Sequence, residues 1–215
     1  MSTDTPILPL PPDGIAAPTP APELEAWVWA ELIESGGLLH NEDHRVIEDW
    51  EPRIGWLWMP DALQRKGKRI AGTAQLARPT GDAWRQAERE EQLERWFGHV
   101  PDFVIRIDAP LYAHWVRSGR PELALRVVDH ELYHCRQEVD RWGADRFLKD
   151  GSPVWGMRGH DVEEFVGVVR RYGAAAAGVT ELVQAAARAP EITPADIAAA
   201  CGCGAVIGAG IGGAA

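Results

Sequence analysis

Residues 129–135 read DHELYHC, in which two histidines stand four positions apart and a glutamate follows the first. Positions four apart lie on one face of an α-helix, so His130 and His134 can direct their imidazoles at one ion. Glu131 is rotated by about 100° from His130, which places its carboxylate beside the ion, where it can take a proton from water. This is the H-E-x-x-H pattern of zinc peptidases, and it predicts that His130 and His134 bind Zn2+ and that Glu131 is the general base.

A third ligand must come from another part of the chain, because catalytic zinc sites use three protein ligands and leave the fourth position for water. His160 is the favoured candidate, since it begins the stretch HDVEEF at 160–165 and follows the second histidine after a loop long enough to reverse direction. Glu163 or Glu164 is the alternative, because two histidines and one carboxylate also form such sites. The choice among these three residues stays open at this point.

A site of this kind also needs residues that orient the ligating histidines and stabilise the reaction intermediate. Asp129 and Asp161 are candidates for accepting the free N–H of a ligating histidine. A donor for the oxyanion of a tetrahedral intermediate is also required. Four residues qualify by type alone: Tyr112, His114, Arg158 and Tyr172.

The motif lies within a predicted helix at 121–142, which Pro121 opens. The preceding stretch 102–108, DFVIRID, alternates apolar and polar residues and predicts a strand. That strand is either an edge strand that aligns a substrate backbone by strand addition or a central strand of the core. Further helices are predicted at 23–35, 41–50, 82–97 and 160–172, further strands at 54–59 and 69–77, and a loop at 143–159.

The two ends of the chain differ from its middle in composition. Residues 1–22 are rich in proline and predict a disordered or extended leader, and residues 174–215 form an alanine- and glycine-rich tail that we expect to be helical or flexible. Residues 197–215 carry no charged side chain but are too rich in glycine for a stable membrane helix. We therefore expect one domain at 23–173, no membrane span, and partner contacts through the leader and the tail.

The charge and the cysteine content restrict the class of protein. The formal net charge of −10 argues against general nucleic-acid binding, although residues 65–69, RKGKR, form a local basic run. Three cysteines fit neither a disulfide framework nor a zinc ribbon, and the N-terminus lacks the pattern of a secretion signal. These features predict a cytoplasmic protein.

Three stretches together resemble the putative phage metallopeptidase family: DFVIRI, ALRVVDHELYHC and RGHDVEEFVGVVRRYG. The resemblance covers roughly 50–173, with its specific part at 102–173, and extends more loosely to SprT-like and other minimal zincin domains. It implies an α+β fold with a minimal zincin-like core, in which a small antiparallel or mixed sheet packs on the H-E-x-x-H helix and a following helix. It also implies zinc held by His130, His134 and His160, Glu131 as base, and action in a host cell.

These observations predict a zinc-dependent metallopeptidase that acts on a protein or peptide substrate. One alternative is a catalytically silent zinc-binding or assembly module with a zincin-like fold. A weaker alternative is a membrane-directed protein that uses its C-terminal tail.

Overall fold

The computed structural model describes residues 6–61, 63–65, 67–162, 169–170, 173–175 and 178–192. The α-helices are α1 (Pro22–Val28), α2 (Arg45–Trp50), α3 (Ala83–Phe97), α4 (Ala109–Arg117), α5 (Glu122–His134) and α6 (Thr180–Ala186). The strands are β1 (Thr19–Pro20), β2 (Ile54–Met59), β3 (Leu63–Arg65), β4 (Lys68–Ile70), β5 (Gly72–Leu76), β6 (Phe103–Asp108), β7 (Cys135–Gln137) and β8 (Trp155–Met157). A π-helical turn, Trp29–Ile33, extends α1, and a 3₁₀ turn, Glu42–His44, precedes α2.

The fold is α+β, as predicted, and centres on a mixed sheet with the strand order β1-β2-β6-β5. β2 runs parallel to β6, while β1 and β5 are antiparallel to their neighbours. Both faces of β6 are covered, since Phe103 and Val104 are each fully buried. The predicted strand 102–108 is therefore one of the two interior strands, and the edge-strand interpretation of it is wrong. Among the described strands, β5 is the outer neighbour of β6 and forms an edge of the sheet.

Helices cover the two faces of this sheet. On one face, Ile105 of β6 belongs to the same apolar cluster as Val127 and Leu132 of α5. On the other face, Leu93 of α3 packs with Val104 in a smaller cluster. α3 matches its predicted bounds, because Asp82 caps its first turn and Gly98 ends it in the left-handed conformation at φ +75°.

The structure differs from the predicted elements where pairing across the chain overrides local periodicity. α5 ends at His134 rather than at residue 142, because Cys135 adopts extended backbone and pairs with Met157 in the β7–β8 hairpin. The predicted strand 69–77 is split at Ala71 into β4 and β5. The predicted helix at 160–172 is not helical at 160–162, and most of its remainder lies outside the described residues.

The leader is extended but not detached. Thr19 and Pro20 pair with Trp58 and Leu57 of β2, and Leu8 is buried in the main core. The expectation of disorder is therefore wrong for residues 6–21, because β1 pairs with β2 and the side chain of Leu8 packs in the core. The division of the chain at residues 22 and 173 stays a prediction, and tail residues 193–215 lie outside the described residues. Among the described helices, none combines the length and apolar character that crossing a membrane requires.

Asp108 links three elements at the end of β6. Its buried carboxylate accepts two hydrogen bonds from Arg69 of β4, at 2.7 and 2.8 Å. It also accepts the backbone N–H of Leu111 at 2.9 Å, which caps α4. The same side chain thus holds the β3–β4 hairpin and the start of α4.

We expect Asp108→Ala to lower the free energy of unfolding by about 2–4 kcal/mol, because it removes a helix cap and leaves a guanidinium without its buried counterion. The matched control is Asp82→Ala, which removes the cap of α3 and the ion pair with Arg85 at an exposed position and should cost about 1 kcal/mol. Urea unfolding measures both values. Equal losses would show that the buried ion pair contributes nothing beyond the cap.

Candidate metal centre

The C-terminal half of α5 carries the histidine pair. Val127, Val128 and Leu132 are fully buried and fix one side of this helix on the sheet. His130 and His134 lie at the border of this buried side, since His134 is seven positions after Val127, and their ring centroids are 5.0 Å apart. The amphipathic pattern of the helix thus holds both imidazoles at the surface of the core.

His160 joins this pair from the segment that follows β8. Its ring centroid lies 5.1 Å from that of His130 and 4.9 Å from that of His134. The Nε2 atoms of His160 and His130 are 3.2 Å apart, close to the separation of about 3.3 Å between two nitrogens at tetrahedral angles around zinc. One ligand atom from each histidine lies within 4.8 Å of the others, so the structure brings together the three residues predicted as ligands.

The chemistry of the donor set fits a zinc ion. Three imidazoles suit zinc, whereas calcium and magnesium prefer oxygen ligands. The pKa of His130 is lowered to about 4 by burial and by its neighbours His134 and His160, so its imidazole is neutral and can donate a lone pair. Glu163 and Glu164, the alternative ligands, lie outside the described residues.

A backbone carbonyl orients His134. Its Nδ1 lies 2.6 Å from the carbonyl oxygen of Arg158, which can only accept a hydrogen bond. Nδ1 therefore carries the proton, and Nε2 keeps its lone pair for an ion. Asp129 and Asp161, the two candidates from the sequence, have other partners, since Asp129 binds His44 and Asp161 binds Arg158.

Glu131 points from α5 toward the edge strand and is 3% exposed. Burial raises the pKa of its carboxyl to about 8, and a hydrogen bond from the backbone N–H of Ala74 opposes this shift. A Cβ atom at Gly72 would lie 2.8 Å from Oε1 of Glu131 and 2.6 Å from Cγ1 of Val127. The absence of a side chain at Gly72 therefore leaves room for the carboxylate of Glu131 against β5.

A polar network anchors the outer side of α5 to the 3₁₀ turn. Oδ1 of Asp129 lies 2.6 Å from Nε2 of the buried His44 and accepts a hydrogen bond from Asn41 at 3.2 Å. The hydroxyl of Tyr133 donates to Asp43 at 2.6 Å and accepts from Asn41 at 3.1 Å. This role of His44 could not be predicted from the sequence, because its partners lie more than 80 positions away and no local pattern links them.

The histidines open into a cleft of about 220 Å³. Its lining consists of His130, Tyr133, His134, Arg158, Gly159, His160 and Asp161. Of the four candidate oxyanion donors, Arg158 lies at this cleft. Tyr112 is buried against Trp58, with ring centroids 4.8 Å apart, and His114 does not line the cleft. Tyr172 lies outside the described residues.

A family model described as "Putative phage metallopeptidase" matches residues 25–188, which is more than half of the chain. The chain belongs to this family. No curated protein and no solved structure matches it. The family description implies a metal ion and, at the level of the family, peptide hydrolysis.

We expect Asp129→Ala to lower the free energy of unfolding by about 1–3 kcal/mol, because the buried imidazole of His44 and the amide of Asn41 lose an acceptor that is itself only 26% exposed. Asp161→Ala is the matched control. It also removes a carboxylate next to a candidate ligand, but this side chain is 76% exposed, so we expect a change of about 0.5 kcal/mol or less. Urea unfolding of the metal-free proteins makes the comparison. A similar loss in both variants would contradict the anchoring role of Asp129.

Proposed function

We propose that this protein is a zinc-dependent metallopeptidase that hydrolyses peptide bonds in a protein or peptide substrate. His130, His134 and His160 hold the ion, and Glu131 is the general base. The observation that carries this proposal is the convergence of the three imidazoles, one of which is 26 positions from the nearest of the other two. A buried carboxylate one residue after the first ligand supports catalysis rather than a purely structural metal site.

The chemistry is divided between residues that line the cleft and Glu131, which follows His130 on α5. When bound, zinc polarises the scissile carbonyl and makes water a stronger acid. Glu131 takes the proton as water attacks and returns it to the leaving amine. Arg158, whose guanidinium is paired with Asp161 at the cleft, is the candidate donor to the developing oxyanion.

We propose that β5, rather than β6, aligns the substrate. The hydrogen bonds from Asp108 N to Ala71 O and from Ala77 N to Asp102 O set the register between β5 and β6. In this register Gly72, Ala74 and Leu76 turn their backbone groups away from β6. Since Ala74 also donates to Glu131, an extended peptide added to this edge would run directly past the general base.

The alternative of a silent zinc-binding module has less support. A site that only holds zinc gains nothing from burying Glu131, whose desolvation costs free energy. The membrane-directed alternative depends on residues 197–215, which lie outside the described residues. We place the protein in the cytoplasm of the host cell, and a buried free thiol at Cys135 is consistent with a reducing compartment.

Glu131→Gln should abolish peptide hydrolysis and leave the zinc content unchanged, because the amide keeps the shape of the carboxylate but cannot accept a proton. Elemental mass spectrometry measures zinc per chain, and cleavage of unfolded casein, followed by release of primary amines, measures hydrolysis. Glu122→Gln, at the start of the same helix, is the control and should keep both. Full activity in Glu131→Gln would exclude this mechanism.

His160→Ala should lose most of the bound zinc, since two histidines on one helix leave the coordination incomplete. His114→Ala, which removes an imidazole outside the cleft, should retain about one zinc per chain. The same elemental analysis on purified proteins makes the measurement. Full zinc content in His160→Ala would indicate that Glu163 or Glu164, rather than His160, is the third ligand.

A further inference from the structure

Two adjoining clefts of about 160 and 270 Å³ lie apart from the metal centre. They share Glu25, Ile54, Trp56 and His99, and neither includes a residue of the metal cleft. We call the two together the Glu25 groove. It lies between α1, the start of β2 and the C-terminal end of α3.

The walls of the Glu25 groove are largely aromatic. One cleft adds Trp96 and Phe97 from α3, and the other adds Trp29 from the π-helical turn. Trp56 is 2% exposed and held in the main core, so it supports the groove from below, and the partly exposed rings are those of Trp29, Trp96 and Phe97. Trp29 is held by a hydrogen bond of 2.8 Å from its indole N–H to Glu34. The rings are therefore positioned in advance, without a bound partner.

Glu25 brings a negative charge into these surroundings. Burial raises the pKa of its carboxyl, and no neighbouring cation opposes the shift. Among the described residues, no ion pair or side-chain hydrogen bond is made by this carboxylate. Arg53, a cation that lines the groove, already accompanies Asp102, with Nε 3.6 Å from Oδ2. Because Glu25 is also exposed to solvent on α1, this unpaired carboxylate is open to a cation that a ligand supplies.

We propose that the Glu25 groove binds a lysine or arginine side chain of a polypeptide partner. Aromatic faces attract organic cations through their quadrupoles, and a carboxylate adds a charge-assisted hydrogen bond. Each cleft is smaller than the 300–1,000 Å³ or so that is typical of a pocket for a cofactor or drug-sized ligand. Two side-chain-sized clefts that share one carboxylate suit a basic residue together with its neighbour in a peptide. This binding does not depend on the proposed peptidase activity.

The test uses the full chain and three capped peptides, acetyl-Ala-Lys-Ala-amide, its arginine analogue and its methionine analogue. Titration is followed through the indole N–H resonances of Trp29, Trp56 and Trp96 in nitrogen-15 correlation spectra, assigned by single Trp→Phe variants. We expect the lysine and arginine peptides to shift these resonances. The methionine peptide, which keeps the length but lacks the charge, should bind at least about tenfold more weakly.

Glu25→Gln should weaken binding of the lysine peptide about tenfold or more, since the substitution removes the charge of the side chain and keeps its shape. Glu23→Gln, on the same helix but outside the groove, is the control and should bind as the wild type does. Trp96→Ala provides a second variant at a partly exposed wall if Glu25→Gln does not fold, and it should also weaken binding. Three outcomes would overturn the proposal: no shift up to about 10 mM peptide, equal affinity for the methionine peptide, or unchanged affinity in the folded variants.

Discussion

A backbone contact between His134 and Arg158 is the constraint on which the proposed metal centre depends. The carbonyl of Arg158 accepts from Nδ1 of His134, and its N–H donates to the carbonyl of His134 at 2.9 Å. The first bond selects the tautomer of one ligand, and the second ties the segment that carries His160 to the end of α5. Because both groups of Arg158 are backbone atoms, this contact depends on the β7–β8 register rather than on a particular side chain.

The position of Glu131, the proposed general base, depends on a second constraint, which is the close approach of α5 to the edge strand. Gly72 lacks the Cβ atom that would meet Glu131 and Val127, so the helix can lie directly on β5. The carboxylate is thereby removed from water, which raises its pKa and makes its ionised form a stronger base than that of an exposed glutamate. The same approach brings the general base next to the outer backbone of β5. One packing contact thus positions both the proposed base and the strand that we propose aligns the substrate.

Charge is distributed differently at the two candidate binding regions. At the metal centre, burial keeps the imidazole of His130 neutral, and the carboxylate of Asp129 is satisfied by His44 and Asn41. In the Glu25 groove, aromatic walls surround a carboxylate that lacks a described counterion. The first arrangement suits a metal cation held by nitrogen lone pairs, and the second suits an organic cation held by ring faces and charge.

The sequence by itself determined what depends on spacing within one element. The four-residue separation of His130 and His134, the burial of Val127 and Leu132, and the bounds of α3 follow from helical periodicity and capping residues. His160 was also predicted, because a histidine after a long loop is a suitable third ligand. Its convergence with the other two was visible only in the tertiary structure, since the β7–β8 pairing that carries it is a contact between distant residues.

Tertiary structure alone decided the end of α5, the packing of the leader and the identity of the edge strand. Cys135 leaves the helix because β8 offers its backbone a partner, and Leu8 is ordered because the core covers it. The stretch DFVIRI alternates like an edge strand, yet α3 and α5 cover both of its faces. An alternation of apolar and polar residues indicates that the two faces of a strand differ in polarity. It does not indicate which strands lie beside it, because strand order depends on long-range packing.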